Sequence, residues 1–191
     1  KPNFQHREPP EATFQIAGVT LGETWDFNEI RSRFGDSTEV QRGDAASGRN
    51  QLCYKSADNV HLIFEFGEVD GVLYLFKDGP KWKGSELCAT SRIVSPTIAT
   101  ASGLRLGMGT SEVENILGEP SLATPQRLVY YFDYKRKTSA KALAEFRDSN
   151  PKMSGAEFSK NFEYADGEVY IETRFVGGKL NYLAISRSET Y

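Results

Sequence analysis

The chain has 191 residues, 39% of them hydrophobic and 26% charged, with a net charge of −3. That is enough apolar material for one large domain or two small ones sharing a core, and a 12% aromatic content with 12 Phe excludes a disordered chain. No run approaches the roughly 20 apolar residues that span a bilayer, and the slight negative charge excludes general attraction to nucleic acid or anionic lipid, which the short basic run Lys135-Arg136-Lys137 does not reverse.

The first stretch, "KPNFQHREPPEATF", is polar and proline-rich and reads as a flexible lead-in over 1–15, of the kind left after a leader is removed. Residues 18–37, "GVTLGETWDFNEIRSRFGDS", read as an entry loop and one short helix. Asp26 and Glu29 have capping-box spacing, Phe27, Ile30 and Phe34 share a helical face, and Gly35 suits the stop. The period then changes to 2, which predicts strands near 50–56, 59–66, 71–77 and 86–94, joined by "SADN", "GEVDG" and "DGPKWKG". "RIVSPTIATAS", 92–102, reads as a connector.

Residues 103–121, "GLRLGMGTSEVENILGEPS", repeat the first motif. Gly103, Leu106 and Gly107 match Gly18, Leu21 and Gly22 at an offset of 85, and Glu112, Val113, Leu117 and Gly118 match Glu29, Ile30, Phe34 and Gly35 at 83. Ser111 and Glu114 are spaced as a cap, Val113, Ile116 and Leu117 face a core, and Gly118 with Pro120 ends the helix. Strands follow at 127–135, 168–176 and 179–187, with Gly177-Gly178 as a hairpin turn. The insertion 138–166 has no counterpart in the first copy; Ser154 and Glu157 are spaced as a cap, and two helices or one helix and a structured loop fit it. The expected fold class is α+β: two tandem repeats, 16–95 and 96–191, each of short helix followed by an antiparallel β-meander, with the helices packed on one face of the sheet.

The twice-used Gly-x-x-Leu-Gly entry, the Glu-(Ile/Val) helix, the Gly-(Asp/Glu) stop and the aromatic strands resemble the tandem-repeat fold of the β-lactamase inhibitory protein. They are also similar to the SmpA/OmlA-type outer-membrane assembly lipoprotein domain, whose motif the second copy follows closely. The first copy departs from it, being two residues longer and lacking the proline after Gly35-Asp36. The resemblance implies a secreted or periplasmic module that binds other proteins, and it carries no catalytic residues across.

Residues suited to catalysis are few. Gly103, Gly107 and Gly109 fit neither GxGxxG nor GxxxxGK[ST], so the glycines are architectural. Of the two histidines, His6 and His61, the second reads as a strand-surface residue sharing a face with Ile63 and Glu65. No metal site and no cofactor are expected. Glu65 and Glu172 read as sheet-face carboxylates with cross-strand partners, Arg174 or Arg187 for Glu172. Cys53 and Cys88 belong to no metal-ligand spacing and read as one disulfide, which implies an oxidising compartment; two unrelated thiols are the alternative.

If Leu128, Tyr130, Phe132, Val169, Ile171 and Phe175 face the helices, alternation puts Tyr131, Asp133, Tyr170, Glu172, Arg174 and Tyr182 on the other side. Tyrosines with an arginine have the composition of protein-binding hot spots. Tyr74, Trp82 and Trp25 extend that face, while packing under the insertion is the competing reading. The expectation is an exported, non-enzymatic interaction module of the cell envelope that binds a protein partner and no nucleic acid, with any lipid anchor upstream of Lys1. The alternative is a carrier or sensor holding a small apolar or lipid ligand between helices and sheet.

Overall fold

The computed structural model describes residues 3–21, 27–42, 48–67, 70–77 and 85–191. It is α+β, with four helices and one mostly antiparallel sheet of nine strands among those residues.

A single-turn helix, Glu11–Phe14, leads into a two-residue hairpin, β1 (Gln15–Ile16) and β2 (Val19–Thr20). Helix α1 (Phe27–Phe34) precedes β3 (Val40–Arg42), β4 (Arg49–Lys55), β5 (Val60–Phe66) and β6 (Asp70–Lys77). After a turn at Ser85–Leu87, β7 (Ala89–Thr90) pairs in parallel with β4. Helix α2 (Thr110–Leu117) precedes β8 (Leu122–Thr124) and β9 (Arg127–Lys137). Then come α3 (Ala140–Ser149), α4 (Gly155–Phe162), β10 (Tyr164–Val176) and β11 (Lys179–Thr190). The sheet runs β3-β4-β5-β6-β11-β10-β9-β8, with β7 alongside β4 off this path.

Two sequence expectations change here for identifiable reasons. The strand expected over 86–94 shrinks to β7, because Cys88 is bonded to Cys53 on β4 and holds this stretch beside that strand's end. The cap expected at Ser111 and Glu114 lies two residues earlier: Gly109 is the N-cap residue, and the Glu112 carboxylate accepts from its N–H at 2.7 Å. That contact satisfies a donor the first turn leaves orphaned. Gly118 ends the helix as expected, at φ 86°, a conformation that disfavours a side chain, with its N–H donating to Glu114 O at 2.7 Å. The insertion resolves into two helices, whose N-caps Ser139 and Ser154 accept from Ala142 and Glu157 N–H. The first-copy cap residue Asp26 lies outside the described residues.

One apolar cluster unites Ile30 and Phe34 of α1 and Val113 and Leu117 of α2 with Leu62, Phe64, Leu75, Tyr130, Phe132, Ile171, Leu183 and Ile185 of the sheet. Period-two alternation makes this possible: in β9 Leu128, Tyr130 and Phe132 are buried in the cluster, while Tyr131 and Asp133 point the other way.

The described part of the expected lead-in is docked. Gln5 N–H donates to Tyr131 O at 2.9 Å and Asp133 N–H to Gln5 O at 3.1 Å, so the segment continues the sheet edge beyond β8. Arg7 donates to Leu117 O at 2.7 Å and lies over the Phe132 ring. Glu8 and Glu11 reach the buried Arg187 at 3.1 and 3.3 Å. Arg187 also meets Glu189 at 3.1 Å, donates to Tyr134 Oη at 3.1 Å and to Leu21 O at 3.3 Å, and stacks on Phe14. Such a satisfied guanidinium is tolerated in the interior, where an unpaired one would be strongly destabilising. Gly167 makes room for the Tyr134 ring, with which a Cβ there would collide.

The Cys53–Cys88 disulfide is present and closes a sequence separation of 35 residues. Its reduction is expected to lower the unfolding free energy by about 3–4 kcal/mol through loop entropy. Urea titrations with and without reductant measure this, and an unchanged midpoint contradicts it.

Candidate binding face on the sheet

The face of the sheet turned away from the large core is built by the alternate residues of β5, β6, β11, β10 and β9. Register brings four of its residues into one row: Phe76 beside Tyr182, Tyr182 beside Arg174, and Arg174 beside Arg127. In a parallel row Tyr170 stands beside Tyr131, with ring centroids 5.3 Å apart. Tyr74 lies 6.5 Å from Tyr182 and Phe76 lies 6.3 Å from it. Tyr131, Tyr170, Tyr182 and Tyr74 are half-buried and Arg174 is exposed. The expected site residues within the described part of the chain thus share one face; Trp82 and Trp25 lie outside the described residues.

The insertion packs elsewhere. Phe146 stacks on Phe162 at 5.0 Å and meets Tyr191 edge-on at 4.6 Å, and Arg147 lies over Phe158. Among the described residues, the N-terminal segment touches the face: the Phe4 ring is 5.3 Å from that of Tyr131, and His6 Nδ1 is 2.6 Å from Asp133 Oδ1.

Between the tyrosines lies an ionic centre on Glu172, whose side chain is 8% exposed. Arg127 Nε and Arg174 Nε both meet Glu172 Oε1, at 2.8 and 2.7 Å. Tyr170 Oη donates to Oε2 at 2.8 Å and accepts from Arg127 Nη2 at 3.0 Å. Burial alone would raise the Glu172 pKa; hydrogen bonds from Arg174 and Tyr170 and the charges of both arginines outweigh it and hold the carboxyl below its ordinary value. Of the partners expected from sequence, Arg174 is correct and Arg187 is not. Arg187 pairs in register with Val169, one step out of phase with Glu172, and therefore faces the core side.

A second polar centre occupies the same face at Glu65, which is buried. Arg49 bridges Glu65 and Asp70 at 3.1 and 2.8 Å, Tyr74 Oη donates to Glu65 at 3.2 Å, and Gln51 Nε2 also donates to Glu65. Burial, reinforced by Glu65, raises the Tyr74 pKa, and burial likewise raises those of Tyr170 and Tyr182, so these phenols stay protonated donors.

His61 shares this face with Ile63 and Glu65, as alternation requires, yet it is buried rather than on the surface. Its ring stacks on Phe76 at 5.0 Å and its Nδ1 is 3.0 Å from Asn59 O. A small second apolar cluster, Cys53, Ile63, Phe76 and Cys88 with Tyr74 and Tyr182 against it, includes the Phe76 ring on which His61 stacks, and the disulfide joins residue 88 to it. Beside it an open groove of about 320 Å³ is lined by Asp36, Ser37, Thr38, Leu87, Cys88 and Ala89. The buried phenylalanines 14, 34, 64, 132 and 175 are packed in the main core. Among the described residues no group of three or more His, Cys, Asp or Glu side chains is arranged to hold a metal.

Sequence reasoning missed Arg127 and the Arg49–Asp70 pair. The signal for Arg127 was present, since it shares the phase of Tyr131 and Asp133 in β9 and stands opposite Arg174.

Glu172→Gln is expected to destabilise the fold by about 1–3 kcal/mol, because it leaves two opposed guanidiniums without their counter-charge. With its folded-state pKa depressed, Glu172 adds stability that is complete above the unfolded carboxyl pKa and is lost as pH falls through the lower folded value. Urea titrations across the acid range check this: the variant should show a shallower loss of stability on acidification, and identical acid limbs contradict it. Comparison with protein-family models, curated proteins and solved structures gave no match for this chain.

Proposed function

We propose that the protein is an exported, non-enzymatic interaction module of the cell envelope, which binds a protein partner through the aromatic face carrying Tyr131, Tyr170, Arg174, Tyr182 and Tyr74. The observation that carries this reading is the row of half-buried tyrosines and exposed arginine on a face that the insertion leaves accessible. Large amphipathic rings bury much area at small entropic cost, and Tyr and Arg dominate binding hot spots. The Cys53–Cys88 disulfide supports export, since such bonds persist in oxidising compartments.

In this reading the scaffold is two tandem helix-plus-sheet repeats whose helices cover one side of a shared sheet and leave the other for the partner. Two features support it. α1 is followed by β3–β6 and α2 by β8–β11, and the strand order mirrors about the β6–β11 pair. Residues of both helices also join the same core cluster.

Affinity capture from native envelope extracts tests the reading. The wild-type protein should retain a protein that Tyr131→Ala with Tyr170→Ala loses at least about tenfold, the size of a hot-spot truncation. Equal retention by both, or no retained protein, contradicts it.

A further inference from the structure

Arg127 and Arg174 stand directly opposite each other on neighbouring strands. Like charges in that position are destabilising, so a sheet shaped only for stability would keep one of them. Both direct Nε at the same oxygen, Glu172 Oε1. Glu172 Oε2 is already taken by Tyr170, and the carboxylate is enclosed, whereas the arginine side chains are 46% and 57% exposed. One enclosed anion therefore serves two accessible cations.

The guanidiniums are also held in place. Arg127 Nη2 donates to Tyr170 Oη at 3.0 Å, and the Arg174 guanidinium lies over the Tyr182 ring at 4.6 Å. Arg127 Nη1 and both Nη nitrogens of Arg174 have no acceptor among the described residues. The exposed Glu168 and the half-buried Asp133, the next carboxylates along β10 and β9, stand beside each other six residues from the arginine pair, about 20 Å away. Along β9 and β10, Glu172 is thus the one carboxylate close to the arginine pair.

Building on the interaction-module reading, we propose that Arg127 and Arg174 are a receptor for a carboxylate, the Asp or Glu side chain of a polypeptide laid on the aromatic face. Guanidinium N–H groups match a carboxylate in geometry and charge. The pair sits among Tyr131, Tyr170 and Tyr182, with the buried Val129 and Ala184 as floor. On so open a surface water is excluded only if the ligand brings apolar neighbours with it. An acidic side chain on a polypeptide does so, and a free ion does not.

Titration of arginine-¹⁵N-labelled wild-type protein with Ac-Tyr-Glu-Tyr-NH2, Ac-Tyr-Gln-Tyr-NH2 and sodium acetate at low salt tests the receptor without any variant. The Glu peptide should shift the Arg127 and Arg174 Nε–H signals and bind about tenfold or more tightly than the Gln peptide, as expected for a charge-assisted hydrogen bond. That preference should weaken with salt and vanish in Arg127→Gln with Arg174→Gln. Equal affinity of the two peptides, absence of Nε–H shifts, or the same response to acetate at the same concentration overturns the inference. Its failure is separable from failure of the broader reading. A captured partner that is lost with Tyr131→Ala and Tyr170→Ala but kept with Arg127→Gln and Arg174→Gln sinks the receptor alone, whereas a partner kept by the tyrosine variant sinks both.

Discussion

The antiparallel pairing of β6 with β11 is the contact on which the rest of the structure depends. Seven register pairs, from Tyr182 with Phe76 to Ser188 with Asp70, join strands far apart in sequence and turn two groups of strands into one sheet. Neither group has to bury its apolar face alone, because Leu73 and Leu75 on one side of the seam and Leu183 and Ile185 on the other enter one core. The same seam sets Tyr182 of β11 beside Phe76 of β6 on the opposite face, so that the aromatic row crosses from one group of strands to the other.

The two faces solve the problem of polar residues differently. On the core side Arg187 is enclosed by Glu8, Glu11, Glu189 and Tyr134, and this satisfied cluster fastens the N-terminal segment to β11 in the middle of the sheet. On the other side Glu172 and Glu65 are enclosed while several of their partners stay accessible. An enclosed carboxylate with exposed cations around it orients those cations and leaves N–H groups for another molecule. The disulfide adds an asymmetry: it sets residue 88 in the small apolar cluster at the β4–β5 end of this face, away from the β9–β10 end.

Much of this was legible in the sequence wherever the determining interaction is local or periodic. Alternation in "RLVYYFDYK" and "EVYIETRFV" was enough to put Tyr131, Tyr170 and Arg174 on one face and Tyr130 and Ile171 on the other. The Gly35 and Gly118 stops and the Ser154 cap follow from a few residues each. What escaped depends on distant partners. The docking of 3–15 needs Arg187, more than 170 residues away in the chain. His61 stacks on Phe76 of the neighbouring strand, and the three-residue strands β3 and β8 form because long neighbours template them. The Glu112 cap escaped because Gly109 offers only a backbone N–H, which no side-chain pattern announces. Arg187 as a partner of Glu172 was excludable by phase alone.

The central claim is that the tyrosine-arginine face is occupied by another protein in its native setting. Oxidative footprinting of Tyr131, Tyr170 and Tyr182, read by mass spectrometry in native envelope and in the purified protein, measures this most directly. The account predicts that these three tyrosines are protected in the envelope and become reactive on purification, while the exposed Tyr191, which packs against Phe146 of the insertion, reacts in both. Equal reactivity of Tyr131, Tyr170 and Tyr182 in the two preparations would contradict it.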